Sequence, residues 1–125
     1  MNTETKTKSS RNYVAAVGRR REAVARVRIY TTTGKVEVFG EERKRGDIIV
    51  NGKPVTEYFR FVTFGPKYTQ ILEQTGVNGK YIISVRVTGG GISGQLDALV
   101  HGIARALDIL DKEKYHKLLS DKGYL

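Results

Sequence analysis

Residues 81 to 110 read as a strand, a glycine turn and a helix in immediate succession, and this segment limits the fold more than any other. Tyr81, Ile83, Val85 and Val87 share one face, and Ile82, Ser84, Arg86 and Thr88 share the other. A period of two marks a strand. From about Ser93 to Leu110, the residues Leu96, Leu99, Val100, Ile103, Leu107 and Leu110 keep the spacing of a helical core stripe. Asp97, His101, Arg105 and Asp108 fall on the other side of that helix. Between strand and helix stand Gly89, Gly90 and Gly91, a backbone that turns sharply with no Cβ to keep another surface away. Ser93 is placed to cap the helix, whose first N–H groups lack partners inside it. Such an end suits an anion, either a nucleotide phosphate or a nucleic-acid backbone.

The rest of the chain supplies more strands and two smaller helices. Tyr13, Ala15 and Val17 share a face, and Gly18 is expected to bulge or bend so that Arg19, Arg20 and Arg21 project. Ala25, Val27 and Ile29 then alternate with Val24, Arg26, Arg28 and Tyr30. Residues 31–35 read as a turn, residues 35–39 as a short strand, and Gly40 to Gly46 as a mixed-charge loop. Residues 47–50 form a strand closed by the Asn51-Gly52 turn signal, with Pro54 stopping any ladder nearby. One helical turn follows over residues 55–59, with Tyr58 and Phe59 packing inward. A helix opens at Gly65-Pro66, turns Tyr68, Ile71, Leu72 and Thr75 inward, and closes at Gly76. Asn78-Gly79 returns the chain to the strand of the opening segment. Asp111 caps a last helix with Tyr115, Leu118 and Leu119 toward the core, His116 exposed among lysines, and Gly123 just past its end. The order predicts an α+β domain over residues 13–125, a small mixed sheet with helices on one face. Residues 1–12 read as a flexible basic tail, either a solvated end or an arm that orders on RNA.

Charge narrows the function. The 125 residues hold 22 Lys and Arg against 13 Asp and Glu, a formal net charge of +9. Residues 1–28 hold eight basic side chains against two acids, and the remainder fourteen against eleven. A local basic surplus on a small domain points to nucleic acid first and an anionic membrane surface second. Arg19, Arg20, Arg21, Arg26 and Arg28 lie within ten residues. Such a group grips phosphates bidentately, and Tyr13 and Tyr30 add stacking. The bland alternative is an exposed face with ion pairs, for which only Glu22 is local. His101 and Arg105, one turn apart, read either as phosphate or base contacts beside the glycines or as surface pairs with Asp97 and Asp108. There is no cysteine, hence no disulfide framework or thiolate metal site. No stretch reads as a membrane span or a secretory signal. The glycines lack the Gly-Lys-Ser/Thr ending of a Walker loop and the full spacing of a dinucleotide site. Two histidines and dispersed carboxylates offer no catalytic set.

Four segments carry a family resemblance. Gly18-Arg19-Arg20-Arg21-Glu22-Ala23-Val24-Ala25-Arg26-Val27 resembles the G-R-R-K-x-(S/A)-x-A-R-V opening of the ninth small-subunit ribosomal protein. Asn51 to Phe59 is similar to its I-N-G-R-P-L-x-E-Y-F segment, Val87 to Gln95 to its V-x-G-G-G-x-S-G-Q, and His101 to Leu107 to its H/L-G-I-A-R-A-L. The matches run in order from about Tyr13 to Leu125.

The resemblance implies a fold shared with a ribosomal protein S-five domain and some small-molecule kinases, with a βαβ crossover of the uncommon left hand. It implies a non-catalytic protein of the small-subunit head, without cofactor, in the cytoplasmic ribosome or that of an organelle. Its partners would be small-subunit rRNA and neighbouring small-subunit proteins, with no membrane. Carried over by position, Arg19, Arg20, Arg21, Arg26, Arg28, Gly89, Gly90, Gly91, Ser93, Gln95, His101 and Arg105 would be RNA contacts or their supports. Asp97 argues against a buried phosphate at the helix end, so the glycines read mainly as allowing RNA to approach closely. Three departures stand out: Arg21 for the usual Lys, a short insertion at Gly40 to Gly46, and an end at Leu125 where the family continues into a basic tail reaching peptidyl-site transfer RNA. The chain is thus expected to be a reduced member or a cut sequence, and the transfer-RNA role is not carried over. The rival expectations are a nucleotide-using enzyme of the kinase-like fold and an extra-ribosomal RNA binder.

Overall fold

Two strands of eight residues open the fold, β1 (Tyr13–Arg20) and β2 (Ala23–Tyr30), paired antiparallel without interruption from Tyr13↔Tyr30 to Arg20↔Ala23. A computed structural model of the chain describes residues 13–31, 36–38, 41–43, 45–59, 65–77 and 79–125. The readings placed on the tail of residues 1–12, on residues 32–35, Phe39, Gly40, Lys44 and Asn78 lie outside them. The two-residue turn is Arg21-Glu22, and Arg21 takes a left-handed φ of 55°. Gly18 neither bulges nor bends. It sits in register opposite Ala25, and its lack of a side chain serves a different purpose, contact with a helix.

That helix is α3 (Ile92–Leu110), which lies across β1 and β2. A Cβ on Gly18 would land on the carbonyl oxygen of Ala98 and the nitrogen of Gly102. A Cβ on Gly102 would stand 2.6 Å from Val27 Cγ2. Two glycines, one per element, therefore let helix and sheet backbones touch. Around this contact Leu96, Leu99, Ile103 and Leu107 are all but fully buried, each stabilising the fold by roughly 1.5–3 kcal/mol relative to exposure. Ala16 and Gly18 face the helix, whereas Tyr13, Ala15 and Val17 share the opposite face.

The sheet has five strands in the order β1-β2-β7-β5-β6, where β5 is Ile48–Val50, β6 Lys53–Pro54 and β7 Ile82–Thr88. β7 is antiparallel to β2 and parallel to β5, so the sheet is mixed and the domain is α+β. A separate two-stranded pair joins β3 (Val36–Val38), within the expected short strand, to β4 (Glu41–Arg43), which falls in the expected mixed-charge loop. The loop reading is corrected there: Glu-Glu-Arg has no apolar alternation, and backbone pairing alone makes it a strand. Asn51 and Gly52 take φ of 50° and 87°, the mirror-image turn that the Asn-Gly signal predicts. Pro54 is the last residue of its ladder: it pairs with Ile49 on the edge strand, where a proline's missing donor costs nothing, and a helix begins at the next residue.

The connection from β6 to β7 runs through α1 (Val55–Tyr58) and α2 (Gly65–Thr75). Phe59 is buried, and Ile71, Leu72 and Thr75 form the inward face of α2. The last helix, α4 (Lys112–Asp121), is capped by the Asp111 side chain, which accepts from the Lys114 N–H at 3.2 Å. It ends with the Gly123 N–H donating to Ser120 O and the Tyr124 N–H to Leu119 O, with Gly123 at φ 81°. That pair of bonds is the usual glycine stop. His116 is not a lone exposed side chain, since its Nδ1 lies 2.7 Å from Asp108 Oδ1.

Candidate nucleic-acid interface

β7 delivers the chain to the glycine loop, and the loop rests on the tip of the β1–β2 hairpin. Gly89 and Gly90 take φ of 76° and 61°. A Cβ on Gly89 would meet the Glu22 carbonyl oxygen, and one on Gly90 would come within 3.2 Å of Ala23. The close approach at these two glycines is therefore to the protein's own hairpin turn. Gly91 differs, because nothing lies within 4 Å of its Cβ position. Gly91 is also the N-cap, extended at φ −98° and ψ 173°, and no side chain caps the helix. Ser93 is consequently not the cap but the second residue of α3, exposed beside first-turn N–H groups that have no partner within the helix.

A hydrogen-bonded relay fixes the loop from behind. The Gln95 amide donates to Gly89 O at 3.1 Å and accepts from the Tyr58 hydroxyl at 2.8 Å. Asn51 pairs with both backbone groups of Val87: its Oδ1 accepts from Val87 N–H at 2.9 Å and its Nδ2 donates to Val87 O at 3.1 Å. Three segments read separately in the sequence, the Asn-Gly turn, the Tyr58 helical turn and the glycine stretch, meet here. Gln95 supports the loop with both ends of its amide. Asn51→Ala removes two bonds to β7 and leaves a left-handed residue without its usual advantage. It should cost about 2 kcal/mol, read in urea unfolding as a lower midpoint at unchanged slope.

The polar side of α3 lies along β1, the sheet's outer strand. Arg105 Nη1 donates to Val17 O at 2.8 Å, His101 Nδ1 faces the Arg19 N–H at 3.4 Å, and Asp97 Oδ2 stands 3.8 Å from Arg20 Nε. An edge strand with unpaired backbone groups invites foreign pairing, and these side chains occupy it. Both groups are partly exposed, so the Arg20–Asp97 pair is worth at most about 1 kcal/mol. It does place a counter-charge on the carboxylate that stands nearest the helix start.

Two concavities flank that ion pair. One, of about 470 Å³, is lined by Arg20, Arg21, Glu22, Gly90, Gly91, Ser93, Gly94 and Asp97. The other, of about 520 Å³, is lined by Arg19, Arg20, Gln70, Asp97, Val100, His101 and the chain end from Gly123 to Leu125. Burial raises the Tyr124 phenol above its ordinary value, and its hydroxyl donates to Gln74 Oε1 at 2.8 Å. The arginines thus divide into two sets. Arg20 and Arg21 border the glycine loop, while Arg26 and Arg28 are exposed on the sheet face opposite α3. Arg86 joins the second set, directly opposite Arg26 across β2 and β7. The sequence puts Arg86 on one strand face with Ile82, Ser84 and Thr88 but not among the site residues, because its neighbour is set by strand pairing.

Among the described residues no group of three or more His, Cys, Asp or Glu side chains could hold a metal ion. No helix there is long and apolar enough to cross a membrane. The fold and the site define a basic α+β domain with arginines beside an open glycine loop. The family model described as Ribosomal protein S9/S16 matches residues 18–125, and the chain belongs to this family of structural, non-enzymatic ribosomal proteins. It is 41% identical over 104 residues to small ribosomal subunit protein uS9 of Maridesulfovibrio salexigens, covering 83% of this chain and 71% of that one. With the uS9 of Solidesulfovibrio magneticus the identity is 39% over the same shares. With that of Renibacterium salmoninarum it is 36% over 111 residues, 89% of this chain and 59% of the relative.

Proposed function

We propose that the chain is a structural constituent of the small ribosomal subunit and binds its rRNA where the β1–β2 hairpin tip meets the glycine loop. Small-subunit rRNA is the main partner, neighbouring small-subunit proteins are the others, and the location is the cytoplasmic ribosome. The observation that carries the reading is the notch itself. Arg20 and Arg21 stand beside the open Gly91 and the uncapped start of α3, so guanidinium groups and free N–H donors converge on one place. Phosphates are the ligands that suit both. Arg19, Arg20, Arg21, Gly91 and Ser93 are assigned as contacts. Gly89, Gly90, Gln95, His101 and Arg105 are assigned as supports, since each is engaged within the chain. The reading covers the domain body and assigns no transfer-RNA contact to these residues.

The test is the salt dependence of binding to small-subunit rRNA. Arg20→Gln with Arg21→Gln should weaken binding and flatten the slope of log affinity against log salt by roughly one unit per lost phosphate contact. An unchanged slope would remove these two arginines from the interface.

A further inference from the structure

The polar row of α3 guards the outer edge of β1 for only part of its length. Val17 O accepts from Arg105, and the Arg19 N–H faces His101, so Val17 and Arg19 turn their backbone groups away from β2. In an antiparallel pair that outward set recurs at every second residue, which adds Ala15 and Tyr13. No described residue pairs with the outward N–H and C=O groups of these two. The devices that blunt an edge are missing there as well. Residues 13–16 are Tyr-Val-Ala-Ala, with no proline, no charge and no bulge.

The helix row changes character at the same level. Asp97, His101, Arg105 and Ile109 recur every four residues along α3. Four helical residues advance about 6 Å, and two strand residues advance roughly 6.8 Å. His101 meets Arg19 and Arg105 meets Val17, so Ile109 comes level with Ala15. The row thus ends in an isoleucine that is 59% exposed, beside the open part of the edge. On the other side of the sheet, Ala15 stands across from the exposed Arg28. That side is buried farther in, at Ile49, Ile82 and Ser84, and its open margin lies along β1 and β2.

Building on the reading that neighbouring small-subunit proteins are partners, we propose that residues 13–16 accept an extended segment of one such protein as a sixth strand of the sheet. Its backbone pairs with Tyr13 and Ala15. The residue opposite Ala15 is an Asp or a Glu, because it shares a face with Arg28 across a single methyl group. None of the five strands of this sheet contains an acid, so a second copy of the chain would bring only another basic edge. The residues flanking the acid point to the α3 side, where an apolar one covers Ile109. RNA does not suit this edge. Its phosphate oxygens serve the two N–H groups but leave Tyr13 O and Ala15 O without a row of donors. A peptide alternates donors and acceptors at the strand's own spacing.

The test uses small subunits assembled with the full chain carrying a photo-crosslinker, either Ala15→p-benzoylphenylalanine or Ile109→p-benzoylphenylalanine. Mass spectrometry should place both crosslinks on one segment of one small-subunit protein, with an Asp or a Glu beside the residue reached from position 15. Ala15→Pro removes an outward N–H without touching the β1–β2 pairing, and should lower the yield from position 109 about fivefold or more. Ile109→Glu, an exposed change that should leave thermal melting as it is, should lower the yield from position 15 by about as much, and Ile109→Leu should restore it. Crosslinks only to rRNA, to a second copy of the chain, or to unrelated segments from the two positions would overturn the proposal, as would yields that Ile109→Glu leaves unchanged. A chain that enters small subunits and gives no protein crosslink would overturn the sixth strand alone. A chain that does not enter them would overturn the ribosomal reading, and the sixth strand with it.

Discussion

Gly18→Ala should be the most damaging single-methyl change in this chain, costing about 3 kcal/mol or more and lowering the melting temperature by about 10 °C or more. The added carbon would land on the backbone of α3 at Ala98 and Gly102. No rotamer change relieves such a clash, because the obstacles are main-chain atoms. The helix would have to lift from β1 and β2, and with it the buried side chains of Leu96, Leu99 and Ile103. Interiors are packed too densely to share out that displacement. Gly91→Ala is the control. Its Cβ position is open and its φ is negative, so its melting should stay within about 0.5 kcal/mol of wild type.

Gly89→Ala should come second, at about 3 kcal/mol, and should harm RNA binding as well. Two costs combine at this position. The φ of 76° belongs to the left-handed region, where a side chain costs roughly 1 kcal/mol or more. The Cβ would also press on the Glu22 carbonyl. Relief means pulling the loop away from the hairpin turn, which separates Arg20 and Arg21 from the start of α3. Thermal melting and rRNA affinity should therefore fall together in Gly89→Ala, whereas Gly91→Ala should leave the melting unchanged.

The two glycines also show what sequence reading could and could not reach. The strand over residues 82–88 and the helix after it were legible, because alternation and a helical stripe are properties of one segment. The Asn51-Gly52 turn, the Asp111 cap and the Gly123 stop were legible for the same reason: each depends on neighbours along the chain. The purpose of Gly18 was not legible, since it is set by a helix 80 residues or more away in sequence. Taken locally, a glycine between strand residues predicts a bulge or bend. The Arg21-Glu22 turn carried no glycine or asparagine to announce it. The sequence offers Gln95 as an RNA contact or a support of one, and only the fold shows both ends of its amide engaged within the chain, by Tyr58 and Gly89. Arg86 was passed over because only strand register puts it beside Arg26. Local chemistry was readable from one-dimensional pattern, and the division of the arginines into two surfaces was not.

The most direct test of the notch as the rRNA interface uses the absence of cysteine from this chain. A single cysteine introduced as Ser93→Cys, carrying a tethered iron chelate, would cleave whatever RNA lies within reach. Ile109→Cys serves as the control, exposed on the same helix and 16 residues away, which is about 24 Å along the axis. After incorporation into small subunits, the cysteine at position 93 should cut the rRNA strongly at one or two places, and the cysteine at position 109 should cut those same places little or not at all. Strong cleavage of those places from position 109, with none from position 93, would contradict the account.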